Sequence, residues 1–351
     1  MKKLLNKVRR KSTVDESARI TTETIAEHRE SILAGGRRFK YPVQYARHRL
    51  VINAIVIAVV VVILLIVGLW WQLYSVQNTS DFMYRVTKVI PLPVAKVDGQ
   101  DVAYSDYLMK YRSSIHYLQE KEQVNLNSDG GKRQSDYVKQ QAMEDAIADA
   151  YAAKLAKENN VSVSAVELET FLKLQRNSTD GEVSVATYDA VILDYYGWSP
   201  AEYRQTMENK LLRQKVAYAI DTQAKNTADA VGKAISGGNV DLVAITAAQN
   251  NTTTGSVSYA TQGWVPKTNQ DGGLAIAAAK LQKGGISSVV KSTTGDGYYF
   301  VRLLDINDTQ VNYDFIHISL TAFTAQLDKI EKSADGVKKY ITIPDTTTTK
   351  E

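Results

Sequence analysis

The chain has no cysteine in 351 residues. That excludes disulfides, thiol nucleophiles and cysteine-ligated metals, and it fits an extracytoplasmic compartment where oxidative folding is not relied upon. Histidine is almost as scarce. The four present, His28, His48, His116 and His317, show no metal-ligand spacing, so no metal is expected. No glycine-rich loop follows a strand and opens a helix, which removes the usual phosphate cradle. No nucleotide or other cofactor is expected. Ser288-Val-Val-Lys291 has the S-x-x-K spelling of some acyl-transfer enzymes. That chemistry needs the two side chains one helical turn apart, whereas positions i and i+3 of a strand point to opposite faces. No long-period repeat is visible.

Only one stretch is long and apolar. VINAIVIAVVVVILLIVGLWW, Val51 to Trp71, carries no charge and one strongly polar side chain, Asn53. At about 1.5 Å per residue a helix of that length covers the roughly 30 Å hydrocarbon core. Strands rarely run past about ten residues, and no polar face interrupts the run as it would in a surface helix of a soluble domain. A cleaved signal peptide would have a shorter apolar core and a small-residue cut site. QLYSVQNTS offers none, so an uncleaved single-pass anchor is expected, with Val51, Trp70 and Trp71 at its limits.

Charge is divided across that anchor. Residues 1–50 hold thirteen Lys and Arg against five Asp and Glu, a net of +8, and the remainder nets −4. Arg37, Arg38, Lys40, Arg47 and Arg49 crowd the N-terminal flank. The positive-inside rule therefore places the N-terminus in the cytoplasm and the bulk of the chain outside. Trp70, Trp71 and Tyr74 mark the far interface. The basic run at 1–11 reads as a contact with anionic headgroups, a lipid bilayer partner and not a nucleic acid.

Elsewhere the pattern is of helices, then strands. Residues 15–34 read as one helix stopped by Gly35-Gly36. Residues 72–92 read as a polar, proline-punctuated stalk ending in Pro91-Leu-Pro93. Asp98-Gly99 signals a tight hairpin. Helices are predicted from Ser105, over about 135–158 after a loop at 125–134, from Ser164, and from Ser199-Pro200. Past 222, short helices lead to strand-like runs around Val257–Tyr259, in ISSVVKST, in GYYFVRLLD and in NYDFIHISLT. NNTTTGS reads as a polar loop and TTTTKE as a disordered tail. Tyr107, Tyr111, Tyr117, Tyr195, Tyr196, Trp198 and Tyr203 fall in the helical part. Aromatics at helical spacing are usually core, but a cradle for unfolded chains exposes some of them.

These residues resemble the membrane-anchored or periplasmic parvulin foldases of SurA/PrsA type. VAKVDGQDVAYSDY is similar to that family's opening A-x-V-N-G-x-x-I-[ST]-x-x-[DE]-[FY], with Asp98 in place of Asn. AMEDAIADAYAAKLAKENNVSVSAVELETFL and SPAEYRQTMENKLLRQKV resemble its central and last chaperone helices. GWVPKTNQDGGLAIAAAKLQKGGISSVVKSTTGDGYYFVRLLD is similar to its isomerase domain.

The resemblance implies an α+β fold. Its parts are a cytoplasmic tail (1–50), a transmembrane helix (51–71), a linker (72–92), a helical SurA-N-like chaperone domain (93–220), a parvulin-like domain (221–345) and a tail (346–351). It also implies unfolded or nascent secreted polypeptides as partners, bound without ATP. The implied peptide-binding residues are Trp264, Leu281, Tyr299 and His317, with Tyr299 and His317 the catalytic candidates. The family's catalytic set is depleted. Tyr299 stands where a second histidine belongs, Asn250–Asn251 stand at the acid or thiol position, and Ala279 replaces a pocket Phe. Little prolyl isomerase activity is therefore expected. The alternatives are an active isomerase and an envelope scaffold protein. The family's first strand, carrying H-I-L, has no counterpart before residue 222. NYDFIHISLT resembles it, with His317 at its histidine, so either the sheet is circularly permuted or this is an added edge strand.

Overall fold

The computed structural model describes residues 22–178, 181–251 and 257–344. The basic run 1–11, the start of the helix expected at 15–34, most of NNTTTGS and the TTTTKE tail lie outside the described residues. The chain divides into two units, Met1–Gln72 and Leu73–Glu351.

In the first unit α1 runs unbroken from Thr22 to Trp70 and passes into a π-helical turn, Trp71–Ser75. The expected stop at Gly35-Gly36 is absent. A glycine inside a helix costs only about 1 kcal/mol, which a helix this long can absorb. His48–Ser75 is long and apolar enough to cross a membrane, and none of its most apolar window is buried in the protein.

The second unit corrects the expected stalk. Residues 72–92 hold a nine-residue helix, α2 (Asp81–Val89), capped by Ser80, whose side chain accepts from Met83 N at 3.4 Å. Met83, Tyr84 and Thr87 are buried along one face of α2, and Leu73 just before it is fully buried. The prolines act only after α2 has ended. They lead into β1 (Pro93–Val97), which turns through Asp98 (φ 44°) and Gly99 (φ 82°) into β2 (Gln100–Ala103). Both turn residues have positive φ, as a two-residue hairpin of this type demands.

Four helices with a small hairpin among them then build the helical part. They are α3 (Tyr104–Glu120), α4 (Asp129–Glu158), α5 (Ala165–Arg176), the hairpin β3 (Asn177–Ser178) with β4 (Gly181–Glu182), and α6 (Val185–Tyr196). The long α7 (Pro200–Ile220) follows. Ser164 and Ser199 both form full capping boxes, with Glu167 and Glu202, as the S-x-x-E spelling requires. α3 starts one residue before the expected Ser105 cap, and α4 begins inside the expected 125–134 loop.

The remainder is α8 (Thr222–Ser236), α9 (Leu242–Asn250), β5 (Val257–Pro266), α10 (Leu274–Ala278), β6 (Val290–Lys291), β7 (Gly297–Ile306), β8 (Gln310–Ser319), α11 (Ala322–Glu331) and β9 (Val337–Lys339). The main sheet is antiparallel in the order β5-β8-β7-β6. β8 is thus an interior strand, not an added edge. One sheet face packs Phe300, Ile316 and Ile318 against Ala228 and Val231 of α8 and Leu242 and Ile245 of α9. The other packs Val301, Leu303 and Tyr313 against Leu274 and Ala278 of α10. Each of the larger side chains among them, such as Leu303, Ile316 or Phe300, contributes roughly 1.5–3 kcal/mol by leaving water.

After β8 the chain leaves the sheet and returns to the helical part. β9 adds to the small sheet in the order β2-β1-β9, with Tyr340 N donating to Val94 O at 2.9 Å. Phe323 of α11 packs on Tyr151 of α4, ring centroids 5.7 Å apart. Asp221 ties the two departures together. Buried to 2 % exposure, its carboxylate accepts from Ala224 N at 2.8 Å, Thr321 N at 2.8 Å and Ala322 N at 3.0 Å. One side chain thereby caps α8 and fixes the turn into α11.

Candidate functional site

A cleft opens among α3, α4, α6 and α7. Its construction starts from the spelling Gly197-Trp198-Ser199-Pro200. Gly197 ends α6 in the left-handed region (φ 66°), and an added Cβ would lie 3.2 Å from the His116 ring. Ser199 caps α7 and Pro200 occupies its first turn. Trp198 is the residue left between two fixed helix ends, so its position is set by both caps. Its ring stacks on Tyr196 with centroids 5.0 Å apart and planes at 23°. The row continues through Tyr195, 6.5 Å from Tyr196, to Tyr117, 6.4 Å from Tyr195.

This ring row separates two adjoining cavities. One, of about 710 Å³, is lined by Tyr117, Leu118, Val138, Tyr195, Tyr196 and Trp198, with Lys210 and Arg213 at its charged side. The other, of about 430 Å³, is more polar and is lined by Tyr84, Arg112, His116, Tyr196, Trp198 and Glu202. Tyr195 and Tyr196 are 43 % and 40 % exposed, whereas Tyr107, Tyr111 and Tyr203 are buried. The aromatics of this part therefore divide into core and cleft. Rings of this kind offer apolar contact and a polar edge at low entropic cost.

Glu202 anchors the polar cavity. It accepts from Tyr84 OH at 2.5 Å and from the Ser199 backbone at 2.9 Å, and pairs with Lys88 at 3.4 Å. Burial opposes its ionisation, but the hydrogen bonds from Tyr84 and Ser199 outweigh that and hold its pKa at about 2, below the usual 4.5. A folded-state value depressed in this way stabilises the protein fully above the unfolded pKa and is lost as pH falls through the folded one. Glu202→Gln is expected to remove the part of the acid sensitivity that falls between about pH 4.5 and 2. Urea midpoints of parent and variant across that range, converging toward the acid end, test this.

A second cluster lies on the α10 face of the main sheet. Tyr299 of β7 and His317 of β8 are cross-strand partners, stacked with ring centroids 4.4 Å apart and planes at 13°. Tyr299 OH donates to Asp296 Oδ2 at 2.6 Å. Burial, and then this bond, pushes the Tyr299 hydroxyl pKa up. Burial raises the Asp296 pKa, but hydrogen bonds from Tyr299, Thr294 and Ser292 outweigh it and hold the carboxyl below its ordinary value. Gly297 is needed for the close fit, because a Cβ there would meet Ile318 O and approach His317 Nε2 to 2.7 Å.

Of the residues expected to bind peptide, three come together. Leu281 packs on the apolar cluster that contains Tyr299, and His317 stacks on Tyr299 itself. Trp264 does not join them. Its strand neighbour Val265 packs on that cluster, so Trp264, 45 % exposed, projects from the opposite face of β5. The bulge between Thr261 and Gly263 shifts the register there, which no sequence pattern announced. Asn250, at the expected acid or thiol position, instead donates to Val257 O at 2.9 Å and holds α9 to β5. Val51, Trp70 and Trp71 are all more than half exposed in the apolar helix and its turn. Among the described residues no group of His, Asp and Glu is placed to hold a metal.

Comparison with known families reaches one of these regions. Residues 44–217 match the family model described as the SurA-like N-terminal domain. Over these residues the chain is similar to a SurA-like N-terminal domain. The match begins inside α1, ahead of the apolar stretch, and ends within α7, so the whole ring row belongs to it. It supports a chaperone-type folding role and unfolded polypeptides as partners. One apolar helix beside a SurA-like domain fits a membrane-anchored extracytoplasmic protein. Neither the curated proteins nor the solved structures gave a match.

Proposed function

We propose that this chain is a membrane-anchored extracytoplasmic holdase that binds unfolded secreted or envelope polypeptides and releases them without ATP. Its N-terminus lies in the cytoplasm and α1 crosses the bilayer at Val51–Trp71. The observation that carries the reading is the row Tyr117–Tyr195–Tyr196–Trp198, exposed at Tyr195 and Tyr196 and half-buried at its ends, along a cleft of the SurA-like domain. Rings facing a cavity of about 710 Å³ hold apolar segments of a non-native chain without demanding one sequence.

The second part of the proposal concerns the main sheet, which we read as a circularly permuted parvulin-like sheet with β8 as its central strand. The interior position of β8 and its His317 support this. Catalysis of prolyl rotation is weak in this reading. Tyr299 takes the second histidine's place and fills the space beneath His317, and Ala279 withdraws apolar surface from the proline pocket. Isomerisation must lower a barrier of about 20 kcal/mol by shape and dipoles alone, so such a loss of surface is expensive. The stacked His317–Tyr299 pair with Asp296 beside it favours a different reading, an active isomerase.

The test is made on the full chain reconstituted in lipid vesicles. It is expected to suppress aggregation of several unrelated unfolded clients without nucleotide, and to change the rate of X-Pro exchange in a peptide by less than about twofold. Robust isomerase turnover would overturn the second half of the proposal. Capture of a single stoichiometric partner and no other client would favour a scaffold and overturn the first.

A further inference from the structure

Helix α2 has two apolar faces, and the protein covers only one of them. Met83, Tyr84 and Thr87 face inward. Phe82 and Val89 lie two turns apart on the outer side and are 67 % and 82 % exposed. Val76 before the helix and Ile90 after it are 49 % and 44 % exposed. Single exposed apolar residues are ordinary, but four within one short segment form a patch. Two cations border it. Arg85 pairs with Asp81 in an exposed pair of the kind that contributes little and can be exchanged for another anion, whereas Lys88 turns toward Glu202 at 3.4 Å and lies over the Tyr84 ring.

The place of this patch in the chain selects its occupant. Five residues, 76–80, separate the end of the π-helical turn at Ser75 from the start of α2 at Asp81. An extended chain of that length reaches about 20 Å, so α2 cannot leave the neighbourhood of the point where the chain emerges from a bilayer. Trp70 and Trp71 mark that point. An apolar stripe with flanking Arg and Lys is the composition of a helix lying in the headgroup region, its apolar side chains at the acyl boundary and its cations toward phosphates.

We infer that α2 docks on the outer leaflet of the membrane through Phe82 and Val89, with Val76 and Ile90 at its ends and Arg85 meeting anionic headgroups. This rests on the reading of Val51–Trp71 as a membrane span. It gives the span a second contact: the holdase is seated on the surface as well as tethered to it. One face of α2 then meets lipid, while the other carries Tyr84, which lines the polar cavity of the cleft.

The absence of native cysteine makes single-site labelling clean. Full-length Val60→Cys, Val89→Cys and Val166→Cys variants, each carrying an environment-sensitive fluorophore, are reconstituted in phosphatidylcholine–phosphatidylglycerol vesicles containing nitroxide-labelled acyl chains. Val60 reports the span, and Val166, 76 % exposed on α5, reports a surface on another helix. The expected result is strong quenching at Val60, clear quenching at Val89 and little at Val166, with Val89 quenched less in vesicles lacking phosphatidylglycerol. Quenching at Val60 without quenching at Val89 would overturn the docking and leave the anchor standing. No quenching at Val60 would overturn the anchor and the docking together. Equal quenching at Val89 and Val166 would overturn a specific face. Intermolecular disulfide formation by unlabelled Val89→Cys, with Val89 unquenched, would assign the patch to a second copy of the chain and overturn the lipid assignment.

Discussion

Replacing Tyr196 and Trp198 together by Ser is expected to raise the concentration needed to halve client aggregation by at least about tenfold. Removing one large side chain from an apolar contact forfeits roughly 1.5–3 kcal/mol, and about 1.4 kcal/mol corresponds to a factor of ten in affinity. The two rings stack on each other and border both cavities, so their loss removes the wall that the cavities share. Trp198 also packs on the small core of Leu168, Leu172, Ile192 and Tyr203, so its removal carries some loss of stability. A second variant separates the two effects. Tyr195→Lys with Tyr196→Lys alters only exposed rings, and it is expected to weaken capture with an unchanged urea midpoint. Unchanged capture by this second variant would show that clients bind elsewhere.

Asp314→Ala is expected to destabilise the protein by about 3–5 kcal/mol, the range found when one partner of a buried pair is removed. Asp314 is 1 % exposed on β8. It holds Arg302 of the neighbouring strand through two hydrogen bonds, one of them Arg302 Nε to Oδ1 at 3.0 Å, and accepts from Tyr259 OH on the other side at 2.8 Å. Arg302 also donates to Val240 O at 2.9 Å. The pair thus bridges three strands and the entry to α9, on the face covered by α8 and α9. Removing Asp314 strands a guanidinium in that layer. Arg302→Met combined with Asp314→Val is expected to recover most of the loss, because two apolar groups leave no uncompensated charge. Urea unfolding of the single and double variants measures this. A loss below about 1 kcal/mol in Asp314→Ala would place the pair among surface contacts.

The parts of this fold that were legible in sequence are those fixed by local chemistry. Ser199-Pro200, Ser164 and Asp98-Gly99 each determine their own cap or turn, and each forms where it was expected, the Glu167 and Glu202 halves of the caps being added by the structure. The apolar length of Val51–Trp71 needed no partner to be seen. α2 was missed because DFMYRVTKV is short and half-apolar on both sides, and the nearby Pro91 and Pro93 read as a stalk. α6 was missed because VATYDAVILDYY has no clean polar face, its outer Tyr195 and Tyr196 serving the cleft. β9 and the return of the chain to β1 depend on pairing across most of the sequence, which no local pattern specifies. His317 and Tyr299 are named by resemblance alone, and the structure stacks them across β7 and β8; Asp296, which accepts from the Tyr299 hydroxyl, sits in a turn whose spelling is only that of a loop.

The account stands most directly on the cleft as the place where unfolded chains are held. A photo-crosslinking residue at position 196 of the full-length protein in vesicles measures it, with a matched probe at Val243, 55 % exposed on α9, as the reference. The account predicts crosslinks from position 196 to several unfolded clients, none to the same proteins in their native state, and none from position 243 to either. Equal crosslinking at the two positions, or none at position 196 while aggregation is still suppressed, would contradict it.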